Sequence, residues 1–237
     1  MVTASPIRPK LLKGALIGFT DRFLVPIPNI ILFQYNPDTL TRNLTPWAPP
    51  DADAEPSPVT PSTAQPFDPA ESFTLSLFLD AADDLEAPEQ NPVTTLTGVA
   101  DRIAALEMLM YPQRLEAPPL NVPEVDTLNG DGGDEAPLER LSVQVVLFIY
   151  GPGRALPVRI TRFSVEEQLF STTLYPIRAK VNLELSVLQP KDFPEDEQKA
   201  GREFALKAYD WTRKQTQGLA VANLANTVES LLGLLPF

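Results

Sequence analysis

The chain has 237 residues, 43% of them hydrophobic, carries a net charge of −12, and contains neither cysteine nor histidine. That length is enough to bury the core of one large domain. The missing residues exclude disulfides, thiolate nucleophiles, His-based triads, His general bases and His metal ligands.

The acids are concentrated. Residues 48–139 hold 19 Asp and Glu against only Arg102 and Arg114, a net of −17, while the other 12 acids and 17 bases leave the rest at +5. A single-sign block of this kind reads as solvated surface and repels phosphates, so nucleic acid is not an expected partner. The split also lets an acidic face of one subunit meet a basic face of another. Met1–Lys10 is polar with no apolar h-region, and no run reaches the ~18 apolar residues of a membrane span. The expectation is a soluble protein that assembles in the cytoplasm without a direct membrane span.

In chain order, Lys13–Phe19 is a first strand-like run. Residues 30–37, Ile-Ile-Leu-Phe-Gln-Tyr-Asn-Pro, form an apolar run stopped by Asn36-Pro37, because proline has no N–H for a ladder and pushes the preceding residue away from helix. Pro49–Pro69 is rich in Pro, Ala, Ser, Thr and Asp and predicts an extended insertion over 48–69. Phe73, Leu75, Leu77 and Leu79 alternate with Thr74, Ser76 and Phe78, the period of a half-buried strand. Val99, Ile103, Leu106 and Met110 recur at three-to-four spacing and predict one helix over Thr95–Met110, ended by Tyr111-Pro112. An acidic loop over 114–138 follows.

Leu141–Ile149 predicts a strand with both faces buried, one in the core and one against a helix or neighbour. Gly151-Pro152-Gly153 turns the chain into Val158–Leu169, where the broken pattern near Thr161–Phe163 predicts a bulge. Ile177–Val187 alternates most cleanly; its polar face is either ordinary surface or the lining of a channel in a ring. Glu195–Gln217 predicts a helix with acids in its first turn and bases near its end. Gly218 then punctuates, and Leu219–Leu234 predicts a second helix, apolar enough to pack on its own barrel or to dock on a partner.

No residue pattern points to catalysis. There is no G-x-S-x-G elbow. Glu166-Glu167 project to opposite faces of a strand and cannot flank one glycosidic bond, and with Asp83-Asp84 they read as solvated surface. Asp126–Glu135 mixes oxygen ligands with glycine but lacks the spacing and closing Glu of an EF-hand. No enzyme activity, metal or cofactor is expected.

The ordered series Leu12-Lys13-Gly14-Ala15-Leu16, Ile31-Leu32-Phe33-Gln34-Tyr35-Asn36-Pro37, Phe73–Asp80 and Met108-Leu109-Met110-Tyr111-Pro112, with closing strands at Val143–Leu147, Ile160–Val165 and Ala179–Leu188, resembles the tube-type domain of contractile injection systems. The resemblance is nearest to the baseplate-hub spike adaptors or tube initiators. It implies a mainly β domain over 10–190, a tube-type (phage-tail-like) β-barrel with one packed helix, and a C-terminal helical extension over 191–237 where such proteins often carry a LysM module. It further implies a six-membered ring that joins the inner tube to a trimeric spike inside a phage-tail-like particle, with spike, tube and other baseplate subunits as partners. The interface residues expected on this basis are Phe33, Gln34, Asn36 and Pro37 in the frame and Leu224, Val228 and Leu231 on the docking helix. The competing readings are a LysM-like or carbohydrate-binding module and a ligand-binding β-barrel enzyme. The lack of histidine and of an aromatic-rich groove weighs against both.

Overall fold

A computed structural model describes residues 12–20, 27–48, 65–112, 143–193 and 200–232, with side chains of the last segment described as far as Asn223. The insertion core and the acidic loop expected from the sequence fall outside these residues.

The seven strands are β1 (Ala15–Thr20), β2 (Ile27–Leu32), β3 (Leu40–Thr45), β4 (Ala70–Asp80), β5 (Val145–Ile149), β6 (Ala155–Phe170) and β7 (Pro176–Val187). They form one sheet in the order β2-β1-β5-β6-β7-β4-β3, and every pairing is antiparallel. The period-two runs place their apolar members inward: Phe73, Leu75, Leu77 and Leu79 on β4, and Ala179, Val181, Leu183, Leu185 and Val187 on β7, are all buried in one cluster. The expected irregularity in β6 is a register shift between Ile160 and Arg162.

The sheet curls strongly. Phe73 on β4 and Phe148 on β5 are three strands apart, a separation of about 14 Å in a flat sheet, yet their ring centroids lie 5.3 Å apart. The curl does not close the sheet into the expected barrel, and β2 and β3 remain its edges. The physical reason is visible at the seam. The Gln34 amide donates to the Asp80 carbonyl (2.7 Å) and accepts from the Asp80 N–H (2.9 Å), standing where a strand–strand ladder would otherwise run.

The helices after β4 are α1 (Ala82–Leu85), α2 (Pro92–Thr97) and α3 (Ala100–Glu107). The single helix expected over Thr95–Met110 is broken at Gly98, which has φ +58°. A Cβ on Gly98 would sit 2.1 Å from the Pro176 carbonyl oxygen, so only glycine allows β7 to approach here. The predicted apolar stripe survives the break, since Val99, Ile103 and Leu106 are buried against the sheet.

The C-terminal region is one helix, α4 (Ala200–Leu232), not two. Gly218 is not among the positive-φ residues and has open space around it, so it continues the helix at a cost of about 1 kcal/mol relative to Ala. The first half of α4 crosses the outer face of β1, β5 and β6. Phe204 packs on Phe19 with ring centroids 5.4 Å apart, and Gly201 lies close enough that a Cβ would be 3.5 Å from Phe19 Cβ. Leu147, on the same outer face, is 2% exposed. The doubly buried β5 expected from its sequence therefore has the core on one side and lies under α4 on the other.

Candidate functional site

The strand-and-stop segment folds back into its own subunit. Phe33 is buried, with its ring 6.5 Å from that of Phe148, and its N–H donates to the Gly14 carbonyl at 2.9 Å. Gly14 is required at this point, because a Cβ there would lie 2.5 Å from the Phe33 ring. The Asn36 side chain accepts from the Gly14 N–H (2.9 Å) and donates to the Leu12 carbonyl (2.8 Å), satisfying backbone groups that precede β1. Pro37 is buried, and its carbonyl accepts from the Tyr150 hydroxyl at 3.4 Å. Of the four, Gln34 bonds across the seam and Phe33 lines it, while Asn36 and Pro37 tie the same segment to the start of β1 and to Tyr150 after β5. Leu224, Val228 and Leu231 lie in the helical backbone of α4, but their side chains fall outside the described ones.

Between β2, β4 and α3 the seam forms a half-open cavity of about 570 Å³. Its floor is apolar (Phe33, Leu77, Leu79, Leu106) and its rim carries Asp83, Asp84 and Asp101 beside Arg102. Arg102 is committed there: it pairs with Asp84 and donates to Gln34 Oε1 at 2.9 Å and to the Asp80 carbonyl at 3.3 Å. Asp80 in turn accepts from Arg178 at 2.7 Å. No group of three or more Asp and Glu able to hold a metal occurs among the described residues.

The outer face of the β4-β7-β6 wing is a polar ladder. Ser76 donates to Asn182 at 2.6 Å, Arg162 pairs with Glu184 at 3.5 Å, and Lys180 lies 5.7 Å from the centre of the Phe78 ring. Glu166 is registered with Lys180 and Glu167 with Ala179, so the adjacent carboxylates face opposite sides of the wing.

Among the described residues three edges of the sheet are open. β2 pairs with β1 alone, and β3 pairs with β4 alone, with five of its six residues exposed. β6 pairs with β5 only over Ala155–Val158. Among the described residues its remaining length, to Phe170, has a partner only in β7. Sequence periodicity did not reveal this edge, because a strand's own pattern does not show where its neighbour stops.

The docking of α4 is anchored at Asp68, just before β4. The Tyr209 hydroxyl donates to Asp68 Oδ2 at 2.6 Å, Arg213 pairs with Oδ1, and Gln189 donates to the Asp68 and Pro69 carbonyls at 3.0 and 2.8 Å. Burial, followed by the hydrogen bond to Asp68, pushes the Tyr209 phenol well above its usual range. Thr212 Oγ1 donates to the Ala155 carbonyl (2.7 Å) and accepts from its N–H (3.0 Å). Beyond Thr212 every described residue to Asn223 is exposed, including Leu219 and Val221 at 70% and 68%.

No protein-family model and no curated protein matches the sequence. No helix among the described residues is long and apolar enough to cross a membrane.

Proposed function

We propose that this chain is a ring-forming structural subunit of a contractile injection system, a baseplate-hub part that adapts a trimeric spike to a hexameric inner tube. The observation that carries the reading is the long edge of β6, from Arg159 to Phe170, which among the described residues has a partner only in β7, on a curled, incompletely closed sheet. Unpaired N–H and C=O groups along such an edge are a template for a strand of another subunit. The open edge of β3 at the other end of the sheet supplies a second template, and a contact between unlike edges is head-to-tail and closes into a ring when the rotation permits. The ordered series of tube-type motifs supports the same reading.

In such a ring the polar outer face of the β4-β7-β6 wing, already paired within itself, is suited to face a water-filled lumen. The later part of α4, exposed from Arg213 to Asn223 and carrying Leu224, Val228 and Leu231 at helical spacing in the sequence beyond, serves to dock the ring on a neighbouring baseplate component. The protein acts by strand-mediated assembly and stacking, without catalysis or a cofactor.

Light scattering and electron microscopy of the purified chain test the reading, together with co-purification from the native particle. The expected result is a ring that travels with sheath and tube subunits. A strictly monomeric protein that binds glycan and never accompanies those subunits overturns it. Removing residues 219–237 is expected to leave the sheet folded, by circular dichroism, and to abolish incorporation. Normal incorporation of that truncation overturns the docking role of α4.

A further inference from the structure

We infer that the tip of the β6–β7 hairpin inserts into the seam cavity of a second copy of this chain. The inference rests on the ring-forming reading and assigns it a specific contact. Two independent features of the molecule lead to it.

The first is the tip, residues 169–175. Leu169 and Leu174 have φ of +52° and +63°, in the left-handed region that leucine avoids. Their side chains are 57% and 79% exposed, and the neighbouring Phe170 and Tyr175 are 51% and 43% exposed. The turn is nonetheless well determined by hydrogen bonds: Ser171 N–H donates to the Tyr175 carbonyl (2.8 Å), Leu174 N–H to the Ser171 carbonyl (3.0 Å), and Tyr175 N–H to Ser171 Oγ (3.1 Å). The subunit therefore holds two leucines in a costly backbone conformation and in contact with water. The hydrogen bonds hold the backbone in place but leave both leucine side chains in water, and strain combined with display marks a clamp or contact site.

The second is the cavity at the seam. Its volume of about 570 Å³ falls in the ~300–1,000 Å³ range of pockets that enclose a ligand. It has a floor of Phe33, Leu77, Leu79 and Leu106, and exposed Ile30, Leu32 and Tyr35 lie at its margin. An aliphatic or aromatic knob is the chemistry such a floor accepts. The tip is uncharged from Leu169 to Tyr175, so it enters past Asp83 and Asp101 without burying a charge.

A knob and a complementary hole at different places on one chain generate a head-to-tail contact. The two features also lie on the elements that strand pairing would bring together. The tip terminates β6, whose edge among the described residues offers backbone groups to a neighbour, and the cavity is lined by Leu77 and Leu79 of β4, just beyond the stretch of β4 that pairs with the edge strand β3. Pairing along the edge of β6 thus delivers the tip to the next subunit's seam in one docking event.

The chain contains no cysteine, which makes the test direct. Leu174→Cys and Ala105→Cys, the latter on the cavity wall, are prepared as separate full-length proteins, mixed and oxidised. The expected result is a disulfide-linked dimer in the mixture, at least tenfold above either variant alone. If the mixture forms rings by electron microscopy but gives no cross-link above the single-variant controls, the tip contact is wrong and the ring reading stands. If neither rings nor cross-links form, both fail together.

A second variant, Leu169→Asn with Leu174→Asn, removes the knob while placing at both sites a residue that tolerates left-handed φ. It is expected to fold as well as the wild type by thermal melting and to weaken self-association at least tenfold by sedimentation. Unchanged association overturns the inference.

Discussion

The outer face of the sheet has two halves that are built in opposite ways. Over β1, β5 and the start of β6 it is apolar and covered by α4, so that Leu147 is 2% exposed and Ala205 is fully buried. Over the β4-β7-β6 wing it is polar and uncovered, and its side chains pair with one another across strands. Both halves belong to one continuous sheet with one continuous core beneath. The difference shows that the inner face carries one core along the whole sheet, while the outer face is used in two ways: once to bury a helix, and once as an open wing whose strand edge and tip have no further partner among the described residues.

The contrast predicts a graded series. Leu147→Ala, under α4, is expected to cost ~2–5 kcal/mol in urea unfolding, whereas Phe78→Ala on the open wing stays within ~1 kcal/mol. Equal costs would mean that the wing is as tightly packed as the covered half.

Tyr209→Phe is expected to cost ~2 kcal/mol at neutral pH, since it removes a hydrogen bond to a charged acceptor at the anchor of α4. The raised phenol of Tyr209 also fixes a sign. Its contribution is fully present below the ordinary tyrosine pKa of ~10 and is lost as pH rises above it, because the unfolded chain then releases a proton that the folded one keeps. Denaturation measured from pH 7 to 11 should show this alkaline loss in the wild type and a smaller one in Tyr209→Phe.

Ser76→Ala is expected to cost ~1 kcal/mol, the worth of one half-buried hydrogen bond to Asn182. At the lower end, Glu203→Gln is expected to leave stability unchanged. Glu203 is held below the usual carboxylate range by its hydrogen bond to Lys207, but the pair is exposed on α4 and screened by solvent. A clear loss in that variant would show that α4 is more tightly held than its contacts indicate.

Much of this architecture is written locally. Alternation along Phe73–Leu79 and Ala179–Val187 determines which side chains turn inward, because the two-residue period leaves no other choice once one face must be buried. The doubly apolar Val145–Ile149 announces a strand covered on both sides. The apolar run 30–37 marks β2 but not its end, since the strand stops at Leu32, four residues ahead of Asn36, and Phe33 turns into the core.

Three features were decided only by tertiary contacts. Gly98 breaks the predicted helix because β7 passes within reach of its backbone, a contact 78 residues away in sequence, at Pro176. Gly218 fails to break α4 because a glycine ends a helix only when the chain there turns left-handed, and here it does not. The sheet stays open at the seam, where Gln34 bonds to Asp80, and among the described residues β5 pairs with β6 only over Ala155–Val158. By itself the sequence determined most of the strands, their faces and the absence of His and Cys chemistry, since these follow from local periodicity and composition; β3, Leu40–Thr45, was not among them, because five of its six residues are exposed and carry no period. Where the sheet stops, and hence which edge and cavity face outward, depends on the relative lengths and packing of segments far apart in the chain, which no local pattern encodes.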